Sequence, residues 1–298
     1  MTTITQAAQA TAGQIKQINR FGSDAIEKVL GEFGLDNPGA QRVIEHGDEF
    51  SEAIRIAVLA SLKDLSVFDK YKNEEVSSTY GYLSGYKKPK SITEQTNILR
   101  QMFPGIGFAD EKLAEREVPK NADNGWFAIP KWQSLAPTYG EAVQLVLNKL
   151  NESRNGAFYN YREGELGPDQ LRQSAKTVSM FQKLAEEQSK YDILVVAAQF
   201  GIRHRGRSVR RVREILLGNE FGLGAFAVGI MLLTHPERFQ HDNDLYIDCA
   251  GDEFKPSDEH EFSRAPIWNF DDDELKFDAC GVGNADFNYG SASGFLPQ

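Results

Sequence analysis

The chain has 298 residues, of which 41% are hydrophobic and 26% charged, so it can bury a sizeable core and does not have the composition of a disordered protein. Its formal net charge of −10 repels polyanions at long range. This charge disfavours broad nonspecific binding to nucleic acid or to anionic membranes, and any phosphate contact must therefore be local.

The two cysteines, Cys249 and Cys280, have neither the spacing of a zinc site nor that of a disulfide framework. The N-terminus lacks a basic segment followed by an apolar one, and no apolar run is long enough to span a bilayer. We therefore expect a soluble, cytoplasmic protein with reduced thiols and no membrane partner.

The N-terminal part of the chain is predicted to be mostly helical. Residues 1–20 are polar and are expected to form a flexible segment. An apolar stripe over 21–33 predicts a first helix, and a second stripe over 41–65 predicts a longer packing helix. The tyrosine-rich segment 71–138 is predicted to be either core or contact surface. Two further helices are expected over 139–150 and 168–188, with Pro168 in the first turn of the second.

After residue 190 the sequence changes from mostly helical periodicity to a mixture of strand-like and helical segments. The apolar run over 192–200 predicts a strand covered on both faces, and Ser208 is placed to cap a helix with Val209 and Val212 inward and Arg210 and Arg211 outward. A buried helix (AFAVGIMLL), a strand (LYIDC) and a hairpin turning at its acidic cluster (APIWNFDDDELKFDA) follow. We therefore predict an α+β protein, mostly helical over 21–190 and mixed over 191–298, with β-hairpins at the C-terminus.

The segment GIRHRGRS, residues 201–208, fits the phosphate-binding pattern G-x-x-x-x-G-[KR]-S between a strand and a helix. If it is a magnesium-dependent NTPase or phosphohydrolase loop, Gly201 and Gly206 shape the turn and Arg207 meets the terminal phosphates. Ser208 and Asp248 would then hold Mg²⁺, and Glu253 would orient water. The bulky residues between the glycines, and arginine in place of lysine, argue against this interpretation.

A broader hypothesis is that the arginines bind an anion without any nucleotide chemistry. Arginine suits bidentate contacts with phosphate, so a noncatalytic site for an anionic partner, either a nucleic-acid backbone or a phosphorylated ligand, is the first prediction. Its proposed anion-binding residues are Gly201, Arg203, Arg205, Gly206, Arg207, Ser208, Arg210 and Arg211.

The alternative is a structural or self-assembling protein whose arginines pair with acidic groups of the same chain or a neighbouring copy. The acidic groups considered for this pairing are Asp242, Asp244, Asp248, Asp252, Glu253 and the run 271–274. Because other catalytic motifs, such as GxSxG, are absent from the sequence, we expect a binding or structural protein rather than an enzyme.

Four segments, AQFGIRHRGRSVRR, NEFGLGAFAVGIMLLTHPERF, LYIDCAGDEF and GSASGFLPQ, carry a resemblance. From about residue 40 onward the chain resembles a group of uncharacterised proteins from small-genome bacteria of the candidate phyla. The resemblance implies no activity, fold or ligand.

Overall fold

A computed structural model describes residues 11–65, 69–119, 122, 125–216 and 218–297. The chain divides into two compact units, Met1–Lys63 and Asp64–Gln298. In the described part of the chain, no helix is both long enough and apolar enough to cross a membrane.

The described part of the first unit contains three helices: α1 (Ala12–Phe33), α2 (Asn37–Glu45) and α3 (Gly47–Leu65), which extends two residues past Lys63. Thr11 and Gln14 form a capping box at the start of α1, and Gly34 ends the helix with a positive φ of 64°. Helix α1 therefore begins inside the segment expected to be flexible, while residues 1–10 lie outside the described residues. The helix predicted over 41–65 is divided at His46, before the poor helix former Gly47.

The second unit contains a four-stranded antiparallel sheet with the order β1-β4-β11-β5. Its strands are β1 (Gly125–Pro130), β4 (Ile193–Gln199), β5 (Glu220–Gly222) and β11 (Ser293–Phe295). Every residue of β4 is buried, which confirms the prediction made from its continuous apolar run.

A second, mixed sheet contains seven strands. They are β2 (Phe158–Asn160), β3 (Leu171–Gln173), β6 (Tyr246–Asp248), β7 (Asp252–Phe254), β8 (Arg264–Asp271), β9 (Glu274–Gly281) and β10 (Tyr289–Ser291). The predicted acidic hairpin is confirmed: β8 and β9 pair antiparallel, and Asp272 and Asp273 turn between them with positive φ. Ala292 lies between β10 and β11, so the chain passes directly from one sheet to the other there.

The helices of the second unit are α4 (Ile92–Met102), α5 (Tyr139–Ser153), α6 (Ala175–Glu187), α7 (Val209–Ile215) and α8 (Ala225–Thr234). All residues of α8 are buried, and Gly229 lets the helix approach Val146 of α5 and Trp268 of β8 closely. The prediction that a helix starts at Pro168 is wrong, because Leu171–Gln173 pairs with β7 before Ser174 caps α6. Helices predominate before residue 190 and strands after it, so the fold is α+β.

Candidate functional site

The arginine segment, residues 201–216, follows β4 and contains the loop 201–208 and helix α7. A short 3-10 turn over Ile202–His204 follows Gly201, and Ser208 caps α7 by accepting a hydrogen bond from the Arg211 backbone N–H at 3.1 Å. The strand–loop–helix order is therefore the predicted one, but α7 has only seven residues.

The two glycines of GIRHRGRS are surrounded by backbone of the same chain. Both have positive φ, 118° at Gly201 and 74° at Gly206. A Cβ on Gly201 would collide with the carbonyl of Gly290, and one on Gly206 with the carbonyl of Val76. Glycine is therefore required here for close packing of the chain on itself, since the space that a phosphate would need beside these residues holds protein backbone.

Six of the eight backbone N–H groups of the loop donate hydrogen bonds within the chain. Those of Gly201 and Arg203 donate to the Gln199 side chain, and that of Ile202 donates to the Tyr82 hydroxyl at 3.3 Å. The N–H groups of residues 204, 206 and 208 donate to the carbonyls of Gly201, Tyr289 and Glu74. A phosphate cradle needs such N–H groups free and convergent, so this geometry does not support the nucleotide interpretation.

Two glutamates near the start of the tyrosine-rich segment bind three of the arginines. Glu74 accepts from Arg210 Nε at 2.7 Å, while Glu75 accepts from Arg211 Nε at 2.5 Å and from Arg207 Nε at 3.2 Å. The pKa of Glu74 is lowered, chiefly by the hydrogen bond from Arg210. Burial alone would raise the pKa of Glu75, but its two arginine partners hold it below the ordinary value.

The remaining arginines have different partners. Arg203 pairs with Glu220 at 3.1 Å, and the exposed Arg205 donates only to the Tyr80 carbonyl among the described residues. Arg213 donates to the carbonyls of Ala250 and Asp252. Most of the charge in the arginine segment is therefore compensated within the chain.

The prediction that Arg211 faces outward is wrong. Its side chain is 8% exposed and also pairs with Glu214 at 2.9 Å, three residues along the same short helix. The helix can bury this arginine because Glu75 and Glu214 compensate its charge from two sides.

A buried polar network lies under the loop. The carboxylate of Glu220 accepts from Ser293 Oγ and binds His204 Nε2, both at 2.7 Å. Burial would raise the pKa of Glu220, but these hydrogen bonds and the nearby Arg203 keep it below the ordinary value. Burial also lowers the pKa of His204 despite the Glu220 carboxylate, which favours a neutral ring that donates from Nε2. The Nδ1 atom is buried without a partner among the described residues.

Two of the residues proposed for the nucleotide reaction, one to hold magnesium and one to orient water, have other partners. Ser208 Oγ donates to Glu74 at 2.7 Å, and Glu253 pairs with Arg172 at 2.7 Å. Asp248 lies at the end of β6, where burial raises the pKa of its carboxyl to about 7. In the portions of the chain that the structure describes, no group of three or more His, Cys, Asp or Glu side chains could hold a metal ion.

The acidic side chains predicted to compensate the arginines have other partners. Asp252 accepts from Tyr139 Oη at 2.8 Å and from the Ala225 backbone N–H at 2.7 Å, at the start of α8. Asp271 and Asp272 bind Lys276. The actual partners are Glu74, Glu75, Glu214 and Glu220, all four of which lie outside the acidic C-terminal region, with Glu214 in α7 itself.

A separate cavity of about 470 Å³ opens beside β1 and α6. Its walls are mostly apolar and include Trp132, Phe181 and Phe226, with Gln173 and Lys131 among the polar residues. Trp132 Nε1 donates to Gln173 at 3.2 Å, which fixes the indole ring in the wall. The volume is in the range typical of small-molecule sites. The sequence does not reveal this cavity, because the apolar periodicity of α6 is the same whether the apolar face of the helix packs in the core or lines a cavity.

Comparison of this chain with family models, curated proteins and solved structures finds no match.

Proposed function

We propose that this protein is a noncatalytic structural or assembly protein, and that its arginine segment stabilises the fold rather than binding an anionic ligand. The observation that carries the proposal is the pairing of Arg203, Arg207, Arg210 and Arg211 with glutamates of the same chain. An incoming phosphate would have to displace carboxylates that are already held at hydrogen-bond distance, which removes most of the free energy such a site could offer.

This pairing gives the segment a definite structural task. Glu74 and Glu75 lie near the start of the tyrosine-rich segment, and the isolated bridge between Glu75 and Arg207 joins this stretch of backbone to the loop. Arg205 adds a contact with Tyr80, and Arg203 and His204 connect the loop to Glu220 on β5. The side chains of this segment therefore bind both residues 74–80 and the four-stranded sheet to the loop 201–208.

The test is thermal unfolding of the full chain at low salt, with and without Mg²⁺–ATP and with a short double-stranded DNA. We expect neither probe to raise the midpoint, and we expect Arg207→Ala to lower it in the absence of any probe. Arg205→Ala is the matched control and should lower the midpoint less than Arg207→Ala does, since Arg205 is exposed and makes one hydrogen bond but no ion pair among the described residues. A midpoint that rises with either probe and loses that rise in Arg207→Ala would overturn the proposal in favour of an anion site.

A second candidate function is binding of an apolar small molecule in the cavity beside Trp132. The aromatic walls and the Lys131 ammonium, which has no carboxylate partner among the described residues, suit an aromatic anion. The probe is 8-anilinonaphthalene-1-sulfonate, whose fluorescence should rise with the native protein and rise less with Ala185→Trp, which fills the cavity. Equal fluorescence with both chains would contradict this function.

A further inference from the structure

Helix α1 exposes an apolar face along its whole length. None of the 22 residues of α1 is buried, and none of the residues of α2 is buried either. Phe33 is 78% exposed, Phe21 61% and Val29 60%. Large apolar side chains at this level of exposure, repeated along one helix, are typical of an interaction surface.

Most of the exposed apolar side chains of α1 form one stripe, and Phe21 lies beside its edge near Ala25. At 3.6 residues per turn, the stripe contains Ile15, Ile18, Gly22, Ala25, Ile26, Val29, Leu30 and Phe33. The charged residues of α1 lie on the remaining surface. Gly22 and Ala25 are small and lie near the middle of the helix, where they allow another helix to approach closely.

The charges of α1 indicate which partner fits this stripe. Residues 12–22 carry two basic side chains and no acidic one, whereas residues 23–33 carry three acidic side chains and one basic. A second α1 placed antiparallel brings each basic half beside an acidic half, and a parallel copy would bring like charges together. Lys16, Arg20 and Glu27 lie on the same flank of the stripe, so Glu27 of one copy would lie near Lys16 and Arg20 of the other.

We propose that two copies of this chain associate through antiparallel pairing of their α1 stripes. The inference rests on the proposed assembly function and names its partner as a second copy. A membrane surface fits less well, since α1 has three basic and three acidic side chains and membrane-surface helices are rich in Lys and Arg. A symmetric antiparallel pair also satisfies the requirement that a two-fold interface be complementary to itself.

The test is the mass of the full-length chain by sedimentation equilibrium from 1 to 100 μM. We expect wild type to approach twice the chain mass of 33.3 kDa and Ile18→Gln combined with Val29→Gln to remain monomeric. Gln17→Glu, on the polar face, is the control and should still associate. A wild type that is monomeric at 100 μM, or a double variant that still associates, would overturn the proposal.

Charge exchange tests the antiparallel orientation. Lys16→Glu combined with Arg20→Glu should weaken association at least tenfold, and adding Glu27→Lys to the same chain should restore it. Failure of this third substitution to restore association would overturn the orientation.

The dimer and the structural role of the arginines can fail separately. If wild type is monomeric and its unfolding midpoint does not change with ATP or DNA, the dimer proposal is wrong and the structural role of the arginines stands. A probe-dependent midpoint would overturn that role whatever mass is measured.

Discussion

The arginine segment and helix α1 differ in where their side chains find partners. The arginine segment has the densest positive charge in the chain, yet four of its six guanidinium groups pair with Glu74, Glu75 or Glu220 of the same molecule. Helix α1 has an unremarkable composition, yet none of its apolar side chains is buried. Charge density along a sequence is therefore a poor guide to a binding surface, because only groups left without internal partners have free energy to offer another molecule.

The largest loss of stability is expected on replacement of Glu220, which holds the arginine segment from below. Glu220→Ala would leave His204, Ser293 and Arg203 without their shared acceptor, so we expect a loss of about 3–5 kcal/mol in the free energy of unfolding, measured with urea. Glu220→Gln retains an acceptor oxygen and should cost less. A loss below about 1 kcal/mol for the alanine variant would show that the buried network does not hold the loop.

A second test uses the glycines of the loop. Gly206→Ala places a Cβ against the Val76 carbonyl at a positive φ, and we expect it to cost about 2 kcal/mol or more in unfolding free energy. Gly218→Ala is the matched control, since nothing lies within 4 Å of its Cβ position and no positive φ is required there. Equal stability of the two variants would contradict the close packing described for Gly206.

The pH dependence of stability tests the neutral His204. Because the pKa of His204 is lowered in the folded state, its contribution is present above the unfolded pKa of about 6.5 and is lost as pH falls below that value. From pH 7 to 5, wild type should therefore lose more unfolding free energy than His204→Gln, by up to about 1.4 kcal/mol per pH unit. Titrating groups that do not interact with His204 are common to both chains and cancel in the difference, and the glutamine amide can still donate a hydrogen bond to Glu220, whose pKa His204 helps to lower. Parallel pH profiles would mean that His204 is not held neutral.

The smallest expected effect is at α1. At 1 μM, Val29→Ala should change the unfolding free energy by less than about 0.5 kcal/mol, because this side chain is exposed. Val212→Ala is the matched substitution in the arginine segment, and it should cost about 2 kcal/mol because Val212 is fully buried. A large loss at Val29 would show that α1 packs within its own chain.

Local patterns predicted the elements that depend on local chemistry. The apolar run of β4, the Ser208 cap and the acidic hairpin turn at Asp272 could all be read from a few neighbouring residues. The helix expected to start at Pro168 could not, because pairing of Leu171–Gln173 with β7 is a contact between residues distant in sequence.

The same distinction explains the candidate site. The sequence indicated that the arginines could be compensated internally, but the partner Glu74 lies more than 130 residues from Arg210, and nothing in the spacing identifies it. The predicted partners in the acidic C-terminal region, such as Asp271, instead bind Lys276 five residues away. The apolar stripe of α1 was recognised as helical over 21–33, but periodicity cannot distinguish a face that packs internally from one that stays exposed.

The coupling free energy between Arg211 and Glu75 tests most directly whether the arginine charge is compensated within the chain. It requires the unfolding free energies of wild type, Arg211→Gln, Glu75→Gln and the double variant. The internal pairing predicts a favourable coupling of about 1 kcal/mol, since the Arg211 side chain is 8% exposed and its Nε lies 2.5 Å from the Glu75 carboxylate. A coupling of zero would contradict the account, because it would show that the Glu75 carboxylate does not compensate the charge of Arg211.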